Sequence, residues 1–480
     1  MEYDIVIGLE VHCQLDTESK IFASDSNKFG GEPNTHIGVI TLAHPGVLPK
    51  LNQKAVEFAI KLGLAFDCEI NQFNFFDRKN YFYPDLPKGY QISQDKSPIC
   101  LGGEVKFKIK KGKEFSDHSV KIHHIHMEED AGKSIHDIEP NYTCLDYNRA
   151  GTPLLEIVSE PCMSSPLEAA TYLAEIRKMV RFLGISDGNM EEGSLRADLN
   201  VSLKPKGSPT LGTKVEIKNM NSIRFLQKAA EYEIERQAAI LDANGTIIQE
   251  TRSFDPEQGK TFGMRVKETM NDYRYFPEPD LAPIIISNQE LFEAKSKMPK
   301  LPFELFETFS KEMGILEEHA YLLTEEKSIS DYFIETCEHT NNFKSVSNWI
   351  LSNIKGYLNE NGIDIDQFAV KPKKLAELIK NIDEGNISNS AAQVLMNMLI
   401  NQPETDILEL AKSNDLIQSQ DSDSMSLWIE EVLSQNIAKV EEYKKGKKGL
   451  MGFFVGEVMK KSKGSADPKV LNSLLADKLK

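Results

Sequence analysis

The clearest chemical signal in this sequence is a segment whose polar side chains are of kinds that bind cations. Between Ile5 and Leu15 the odd-numbered residues are apolar or cysteine, whereas Glu10, His12 and Gln14 alternate with them. A strand places successive side chains on opposite faces, so these three share one face, with neighbours roughly 6–7 Å apart. The alternation therefore predicts one buried apolar face and an opposite face that carries a carboxylate and an imidazole.

Three further segments repeat this alternation and add charges of both signs. Their outward-facing positions are His124, His126 and Glu128 in the first, Arg196, Asp198 and Asn200 in the second, and Lys214, Glu216 and Lys218 in the third. Several carboxylates on one face repel each other unless a cation lies between them. A Mg²⁺ ion held by carboxylates, an imidazole and water, with lysines placed for phosphate oxygens, would remove this repulsion.

A sheet with one solvated face is the alternative interpretation, and it is common among antiparallel sheets. Such faces usually carry threonine, serine, lysine and mixed residues, whereas here aspartate and asparagine, which strands tend to exclude, stand in mid-strand. The residues alone leave these two interpretations evenly balanced.

Residues 77–90, DRKNYFYPDLPKGY, gather basic and aromatic side chains in what we predict to be a surface loop. That composition suits stacking on a nucleotide and holding its phosphates, although a packed tyrosine-rich loop would share it. Residues 128–134 end in Gly-Lys-Ser, but Met127 stands where a phosphate-binding loop needs its first glycine. The absence of G-x-G-x-x-G, H-E-x-x-H, G-x-S-x-G and C-x-x-C leaves dehydrogenase, zincin and serine-hydrolase functions without support.

Length and charge limit the kind of protein that carries these segments. A chain of 480 residues exceeds what one hydrophobic core usually organises, so we expect two or three domains. A formal charge of −17 would repel nucleic acid at long range, but residues 441–480 hold ten lysines against five acidic residues. Nucleic-acid binding would therefore depend on this local basic patch.

The pattern of elements predicts an α+β fold. We expect a mixed or antiparallel sheet domain over residues 1–292, an all-α domain over residues 293–403 and a small helical tail domain over residues 404–480, with breaks after residues 279–283 and near residues 401–403. No apolar run reaches the roughly 18 residues of a membrane span, and the acidic start is unlike a signal peptide. Six scattered cysteines fit reduced thiols, so we expect a cytoplasmic protein.

Six long motifs, in order, closely resemble the B subunit family of the tRNA-dependent aspartyl/glutamyl amidotransferases. They are IGLEVH at 7–12, DRKNYFYPD at 77–85, HMEEDAGK at 126–133, RAGTPLLEIVSEP at 149–161, MEEGSLRAD at 190–198 and DYRYFPEPD at 272–280. The resemblance extends to the C-terminal KKGLMGFFVG at 447–456, which is similar to the tail module of that family. The resemblance implies a cradle-like catalytic domain at the N-terminus.

The resemblance also implies a reaction. Glutamate or aspartate misattached to the tRNA for glutamine or asparagine has its side-chain carboxylate phosphorylated by ATP, and ammonia then displaces the phosphate to give the amide. A carboxylate is a poor acyl donor, and phosphorylation supplies a leaving group. Phosphoryl transfer needs charge neutralisation by Mg²⁺ and cationic side chains, so ATP and Mg²⁺ are the expected cofactors.

Motif positions assign candidate residues to these tasks. The metal-site candidates are Glu10, His12, Glu128, Glu129, Asp198 and Glu216, with Glu156 as a reserve ligand. The candidates for contacts with ATP or acyl-tRNA are Lys79, Tyr81, Lys88, Arg196, Lys214 and Lys218, and Glu10, His12, Lys79 and Asp198 are the expected catalytic residues. Glu128 and Glu129 are neighbours, so a plain strand can aim only one of them inward. Some relatives add a zinc site on paired cysteines, and since this chain lacks C-x-x-C pairs we predict no zinc.

The expected partners follow from what the chain lacks. It has no Gly-Gly-Ser-Ser run of the amidase type and no recognisable glutaminase cysteine, so ammonia must come from a partner. In the family that partner is the amidase (the A subunit), which a small C subunit joins to the B subunit, with an internal tunnel between the sites. Misacylated tRNA is the substrate, a non-discriminating synthetase is a further candidate partner, and the lysine-rich tail from about Lys444 would grip the tRNA body.

Two other classes of function stay open at this point. The chain could be a stand-alone Mg²⁺-dependent phosphohydrolase or nuclease, because acidic clusters with Mg²⁺ serve those reactions too. It could also be a non-catalytic tRNA-binding scaffold with a merely solvated sheet face. Amidation that survives loss of Glu10 or Asp198 would favour the scaffold, and cleavage of RNA without a partner would favour the hydrolase.

Overall fold

A computed structural model describes residues 2–112, 114–264, 274–418, 422–462, 466 and 468–479 of the chain. Two residues of one family-like motif, Asp272 and Tyr273, lie outside the described residues. The chain divides into two compact units, Met1–Leu305 and Phe306–Lys480. The first unit carries the strands and the second is helical, as the predicted α+β organisation requires.

The first unit is built around a large sheet and several small ones. In chain order its strands are β1 Tyr3–Gln14, β2 Glu69–Ile70, β3 Phe73–Asn74, β4 Asp77–Asn80, β5 Tyr90–Ser93, β6 Cys100–Leu101, β7 Glu104–Lys111, β8 Glu114–Glu129, β9 Lys133–Glu139, β10 Tyr142–Asp146, β11 Pro153–Ser159, β12 Leu195–Pro205, β13 Val215–Lys218, β14 Thr251–Asp255, β15 Lys260–Gly263, β16 Tyr275–Pro277 and β17 Ile284–Ile285. Among the described residues, ten of them form one sheet in the order β15-β14-β13-β12-β1-β11-β8-β6-β2, with β7 also paired to β8. Its pairings are antiparallel except the parallel pair β13–β14.

Strand β1 lies at the centre of this sheet, and its alternation is as predicted. Leu9, Val11, Cys13 and Leu15 are buried in the main hydrophobic core. Burying an aliphatic side chain of this size contributes about 1.5–3 kcal/mol, so one face of the strand is fixed toward the core. A slip of one residue in register would bring the apolar set out and bury the charges.

Two long helices cover the apolar side of the sheet. The helices of this unit are α1 Gln53–Ala65, α2 Pro166–Phe182, α3 Ile223–Asp242, α4 Asn288–Ser296 and α5 Pro302–Glu307, the last crossing into the second unit. Ser165 caps α2 by accepting from the amide of Glu168, and Ser222 caps α3 by accepting from the amide of Phe225. Such caps satisfy amide groups that the first helical turn leaves without partners. These helices stabilise the sheet by packing on its apolar face, and the polar face lies on the opposite side.

The prediction of a surface loop over residues 77–90 is partly wrong, because its first four residues form strand β4. β4 pairs with β5 and with β16 in a small antiparallel sheet that aligns Lys79 with Gln91 on one side and Tyr275 on the other. Arg78 secures this sheet through an ion pair with buried Glu278, with Nε to Oε2 at 2.7 Å. The pairing places Lys79 at a defined position instead of on a free loop.

Helices make up the second unit. They are α6 Glu317–Leu323, α7 Lys327–Cys337, α8 Phe343–Asn348, α9 Lys355–Asn361, α10 Pro372–Asp383, α11 Asn389–Asn401, α12 Ile407–Ser413, α13 Ser422–Gln435, α14 Ile437–Lys444, α15 Met451–Lys461 and α16 Pro468–Lys478, with π-helical turns at Thr308–Glu312 and Trp349–Ile354 and 3₁₀ turns at Ile365–Gln367 and Lys448–Leu450. Met425, Phe454 and Leu471 belong to a separate core formed by α13–α16. The predicted domain boundary near residue 403 stays a prediction. Within the described ranges, no helix is both long and apolar enough to cross a membrane.

Candidate metal and phosphate site

Strand pairing brings the predicted side chains together in two rows across the polar face of the sheet. In one row Glu10 lies opposite Asp198 of β12. In the next row His12 lies between Arg196 of β12 and Glu156 of β11. Because these residues are two apart along their strands, both rows point to the same side.

One cluster of potential metal ligands consists of His12, Glu128 and Glu156. A ligand atom from each lies within 4.8 Å of the other two. The Nε2 atom of His12 lies 3.2 Å from Glu156 Oε2 and 3.9 Å from Glu128 Oε1. His126 borders the cluster, with its Nε2 atom 3.5 Å from one oxygen of each glutamate. Two carboxylates and an imidazole at this spacing are a suitable ligand set for a divalent cation.

The ionisation of this cluster reflects competition between burial and charge. Burial disfavours the protonated form of His12, but the hydrogen bond and charge of Glu156, with Glu128, outweigh it and raise the pKa of His12 to about 9. Burial of Glu156 acts to raise its pKa, but the hydrogen bond from His12, the charge of His126 and that of Lys79 bring the pKa well below its usual range. Without a metal ion, His12 is therefore a cation that balances the carboxylates. A metal ion would replace its proton.

The second cluster consists of Glu10, Asp198 and Glu216, whose carboxylate oxygens also approach within 4.8 Å of one another. Lys218 balances part of this charge, with its Nζ atom 2.5 Å from Asp198 Oδ2 and 3.2 Å from Glu216 Oε1. Burial raises the pKa of Glu10, and the charges of Glu156, Asp198 and Glu216 add to that rise against the opposing charge of Lys214. The three carboxylates outnumber the one lysine that contacts them, so the cluster carries a local excess of negative charge.

An unsatisfied acceptor supports the fit of a cation to this second cluster. Asn200 donates from Nδ2 to Glu10 Oε1 at 3.1 Å, while its buried Oδ1 atom has no hydrogen-bond partner among the described residues. A buried acceptor without a partner costs free energy comparable to a lost hydrogen bond. Amide and carboxylate oxygens are the ligands that Mg²⁺ prefers, so the residues present fit this ion.

A cavity of about 190 Å³ opens beside the first cluster. Its lining residues are His12, Lys79, Tyr81, Leu86, Gln91, Glu128, Asp130, Ala131, Leu154, Glu156 and Arg196. Lys79 and Arg196 contribute positive charge, and His12 adds a third cation while it is protonated. The cavity therefore combines metal-binding carboxylates with cations that could hold a carboxylate or phosphate group.

Some predicted site residues lie elsewhere. Glu129 points away from both clusters: its carboxylate accepts from Lys88 and from the amide of Ile92 at 2.8 Å. The period of two along β8 explains this, since Glu128 takes the cavity side and its neighbour must take the other. Lys88 is thus occupied by Glu129 and does not line the cavity. Lys214 is exposed just before β13 and interacts with Glu10 through charge alone.

Three residues at the site were missed or underrated by sequence reasoning. Glu156 was only a reserve ligand, although a lone glutamate inside the otherwise apolar strand PLLEIVS was a usable signal. His126 borders the first cluster and shares a hydrogen bond with His124 at 3.0 Å. Asp130 directly follows β8, and a period of two places it on the same side as Glu128, a signal that sequence reasoning did not use.

Comparison with known proteins adds an independent finding. The family description "GatB/GatE catalytic domain" matches residues 5–292, and "GatB domain" matches residues 331–479. Similar proteins, named as B subunits of aspartyl/glutamyl-tRNA(Asn/Gln) amidotransferases, come from Persephonella marina (47% identical), Thermodesulfovibrio yellowstonii (47%) and Trichlorobacter lovleyi (48%). Each alignment covers 100% of this chain and 100% of the relative.

Proposed function

This chain belongs to the GatB family, and we propose that it is the B subunit of a tRNA-dependent amidotransferase, a carbon–nitrogen ligase that acts as part of a complex. The proposed substrates are glutamate esterified to the tRNA for glutamine and aspartate esterified to the tRNA for asparagine. In the first step the side-chain carboxylate attacks the γ-phosphorus of ATP and ADP leaves. In the second, ammonia attacks the acyl carbon, inorganic phosphate leaves with the C–O bonding pair, and the amide nitrogen loses a proton.

The observation that carries this proposal is the convergence of two carboxylate clusters and several cations on one polar sheet face. Glu10, Asp198 and Glu216 would hold one divalent cation, and His12, Glu128 and Glu156 a second. A bound Mg²⁺ ion supplies charge neutralisation for phosphate oxygens during phosphoryl transfer. Acidic side chains alone would repel both ATP and the substrate carboxylate.

The cationic side chains have distinct tasks in this proposal. Lys79, fixed by the small β4 sheet, binds a phosphate oxygen at the cavity wall. Tyr81 offers an aromatic surface beside it, and Lys218 screens Asp198 and Glu216 when the cation is absent. Electrostatic groups held in place before the reaction stabilise the developing charge without reorganisation.

Partners are needed because the reaction consumes ammonia and the sequence carries no recognisable amidase or glutaminase motif to release it. The relatives are named as B subunits, and such a name implies a multi-subunit assembly. We infer that the partners are an amidase, the A subunit, which releases ammonia from glutamine, and a small C subunit. Residues 1–292 would hold the reaction site, residues 293–403 a helical domain, and residues 404–480 the tRNA-binding tail, where residues 441–480 carry ten lysines against five acidic residues.

The experiment that tests the function is co-expression of the chain with its two partner subunits. The purified complex is incubated with each misacylated tRNA, ATP and glutamine, and the esterified amino acids are then identified. Formation of glutaminyl- or asparaginyl-tRNA, dependent on ATP, supports the proposal, and the choice between the two esters defines the pathway. Failure with both esters would contradict the proposal, and cleavage of RNA by the isolated chain would support a stand-alone hydrolase.

A further inference from the structure

A buried carboxylate that none of the proposed metal clusters uses lies at the wall of the cavity. The side chain of Asp130 is only 7% exposed. Its backbone is held on both sides, since its amide donates to Thr152 O and its carbonyl accepts from the amide of Gly151, both at 2.9 Å. These two hydrogen bonds fix the position of the Asp130 backbone at the cavity wall.

The Oδ2 atom of Asp130 is shared by three side chains. It accepts from Gln14 Nε2 at 2.9 Å and from Arg196 Nη2 at 2.8 Å, and Arg149 Nε lies 3.6 Å away. With two guanidinium groups directed at it, this carboxylate acts as an anchor for both arginine side chains.

The two arginines differ in how much of each guanidinium is already used. Arg149 donates to Ala131 O at 2.9 Å and to Gly132 O at 2.8 Å, so it is committed to the backbone of the following turn. In the part of the chain that the structure describes, the only hydrogen bond from the Arg196 side chain is the one to Asp130. Arg196 lines the cavity and its side chain is 32% exposed. Its remaining N–H groups are thus available to a ligand.

The charge of this group identifies the ligand class. Asp130, Arg149 and Arg196 together carry one net positive charge, which matches a single carboxylate better than a polyphosphate. A guanidinium presents parallel N–H groups that fit the two oxygens of a carboxylate. Polyphosphate has its own counter-charges in Lys79 and in the carboxylate clusters that would hold divalent cations.

We propose that Arg196 binds the side-chain carboxylate of the esterified aspartate or glutamate, and that Asp130 is the positioning residue that aims this guanidinium into the cavity. This inference rests on the proposed function, because it names the part of the substrate that Arg196 recognises. Recognition of the carboxylate by a fixed arginine places one oxygen for attack on phosphorus. It also distinguishes an aminoacylated tRNA from a deacylated one.

The test uses the assembled complex and measures its affinity for aminoacylated and deacylated tRNA without ATP. Asp130→Asn keeps the shape but loses the charge, and Arg196→Lys keeps the charge but loses the planar guanidinium that offers separate N–H groups to Asp130 and to a ligand. Each variant is expected to reduce the preference for aminoacylated over deacylated tRNA by about 10-fold to 100-fold, the loss of one charge-assisted contact. The double variant should be no worse than either single variant, because both remove the same interaction.

A matched control exists in the same unit. Glu233 is also a buried carboxylate that anchors Arg236, at 2.6 Å, and lies 3.6 Å from Arg252, but it is not among the cavity residues. Glu233→Gln should lower the melting temperature and leave the tRNA preference unchanged. The KM for ATP should stay within about twofold of wild type in Asp130→Asn, a split that a general structural defect would not produce.

The outcomes separate this inference from the function on which it rests. If the wild-type complex amidates neither ester, the proposed function fails and takes the inference with it. If the wild type is active but Asp130→Asn keeps the full preference for aminoacylated tRNA, only the assignment of Asp130 and Arg196 is wrong. A rise in the KM for ATP in place of the lost preference would overturn the assignment too, because Arg196 would then bind phosphate.

Discussion

Glu128 and Glu129 are neighbours on β8, yet they belong to two different electrostatic regions. On the cavity side Glu128 lies among Glu156, His12 and His126, and its partners are imidazoles and a serine hydroxyl, Ser93 Oγ, at 3.3 Å. On the other side Glu129 contacts the ammonium group of Lys88 and the amide of Ile92. Glu128 therefore lies beside another carboxylate, whereas the charge of Glu129 is balanced by the ammonium group of Lys88.

The contrast shows how one strand can serve both stability and chemistry. A buried carboxylate with a direct lysine partner is balanced within the fold, and removing it leaves the lysine buried without a counter-charge. A carboxylate grouped with other carboxylates has its repulsion relieved only by protons or by a bound cation. We therefore expect loss of charge at Glu129 to lower the free energy of unfolding, and loss of charge at Glu128 to affect activity with little change in stability.

The largest effect should come from the cavity side. Glu10→Gln and Asp198→Asn each remove a ligand of the proposed metal site formed by Glu10, Asp198 and Glu216, so ATP-dependent amidation by the complex should fall by on the order of 10³-fold or more. Affinity for tRNA should persist. Glu104→Gln is the control, since Glu104 is ion-paired with Lys106 at 3.3 Å on β7, outside the cavity lining. Retained amidation in both site variants would favour the scaffold function.

Neutralising each of the two neighbouring carboxylates in turn should separate an effect on stability from an effect on activity. Glu129→Gln should reduce the free energy of unfolding by about 3–5 kcal/mol, because Lys88 loses its buried partner. Glu128→Gln relieves repulsion, so its unfolding free energy should change by less than about 1 kcal/mol while amidation is lost. Denaturant titration of both variants measures this. Equal destabilisation by the two substitutions would show that the sides do not differ.

A smaller effect, on tRNA affinity, is expected from the lysine-rich tail. Like the sheet face, the tail is proposed to contact the tRNA. Changing Lys444, Lys445, Lys447 and Lys448 together to Gln should weaken tRNA binding by about 10-fold to 100-fold at moderate salt and flatten its salt dependence. Lys295 and Lys297, on and beside α4, serve as a control pair. Unchanged tRNA affinity in the tail variant would show that the tail assignment is wrong.

The smallest effect concerns Lys20, a fully buried residue that lines a small cavity together with Glu129. Burial lowers the pKa of Lys20 to about 8 from its ordinary 10.5. Between these values the unfolded chain binds more protons than the folded protein, so the contribution of Lys20 to stability rises with pH across this window. From pH 8 to 10.5, the unfolding free energy of wild type should gain about 1–3 kcal/mol relative to Lys20→Met. A constant difference between the two proteins would contradict this.

Much of the sheet could be predicted because a period of two is a local property. The grouping of Glu10 with His12, and of Arg196 with Asp198, follows from residues inside one strand, and the strand bounds agree with it. The helix at residues 166–182 could be predicted for a similar reason, since Ser165 supplies a cap within one turn of its start. What these elements share is that their signals lie within a few residues.

The rest depends on pairing between distant segments, which periodicity does not encode. That Glu156 meets His12 follows from β11 lying between β1 and β8, a register set by the whole sheet. Lys88 was expected to contact ATP, and its ion pair with Glu129, a residue 41 positions away, is visible only in the folded chain. Asn200 was placed on the correct face, but its unsatisfied oxygen is visible only once Glu10 and Glu216 surround it.

The most direct test of the central claim is a search for bound metal on the sheet face. Crystals of the assembled complex are soaked in Mn²⁺, and an anomalous difference map is calculated. We expect one peak bounded by Glu10, Asp198 and Glu216 and a second bounded by His12, Glu128 and Glu156, with the first lost in Asp198→Asn. A map without either peak, at a Mn²⁺ concentration that supports amidation in solution, would contradict the account.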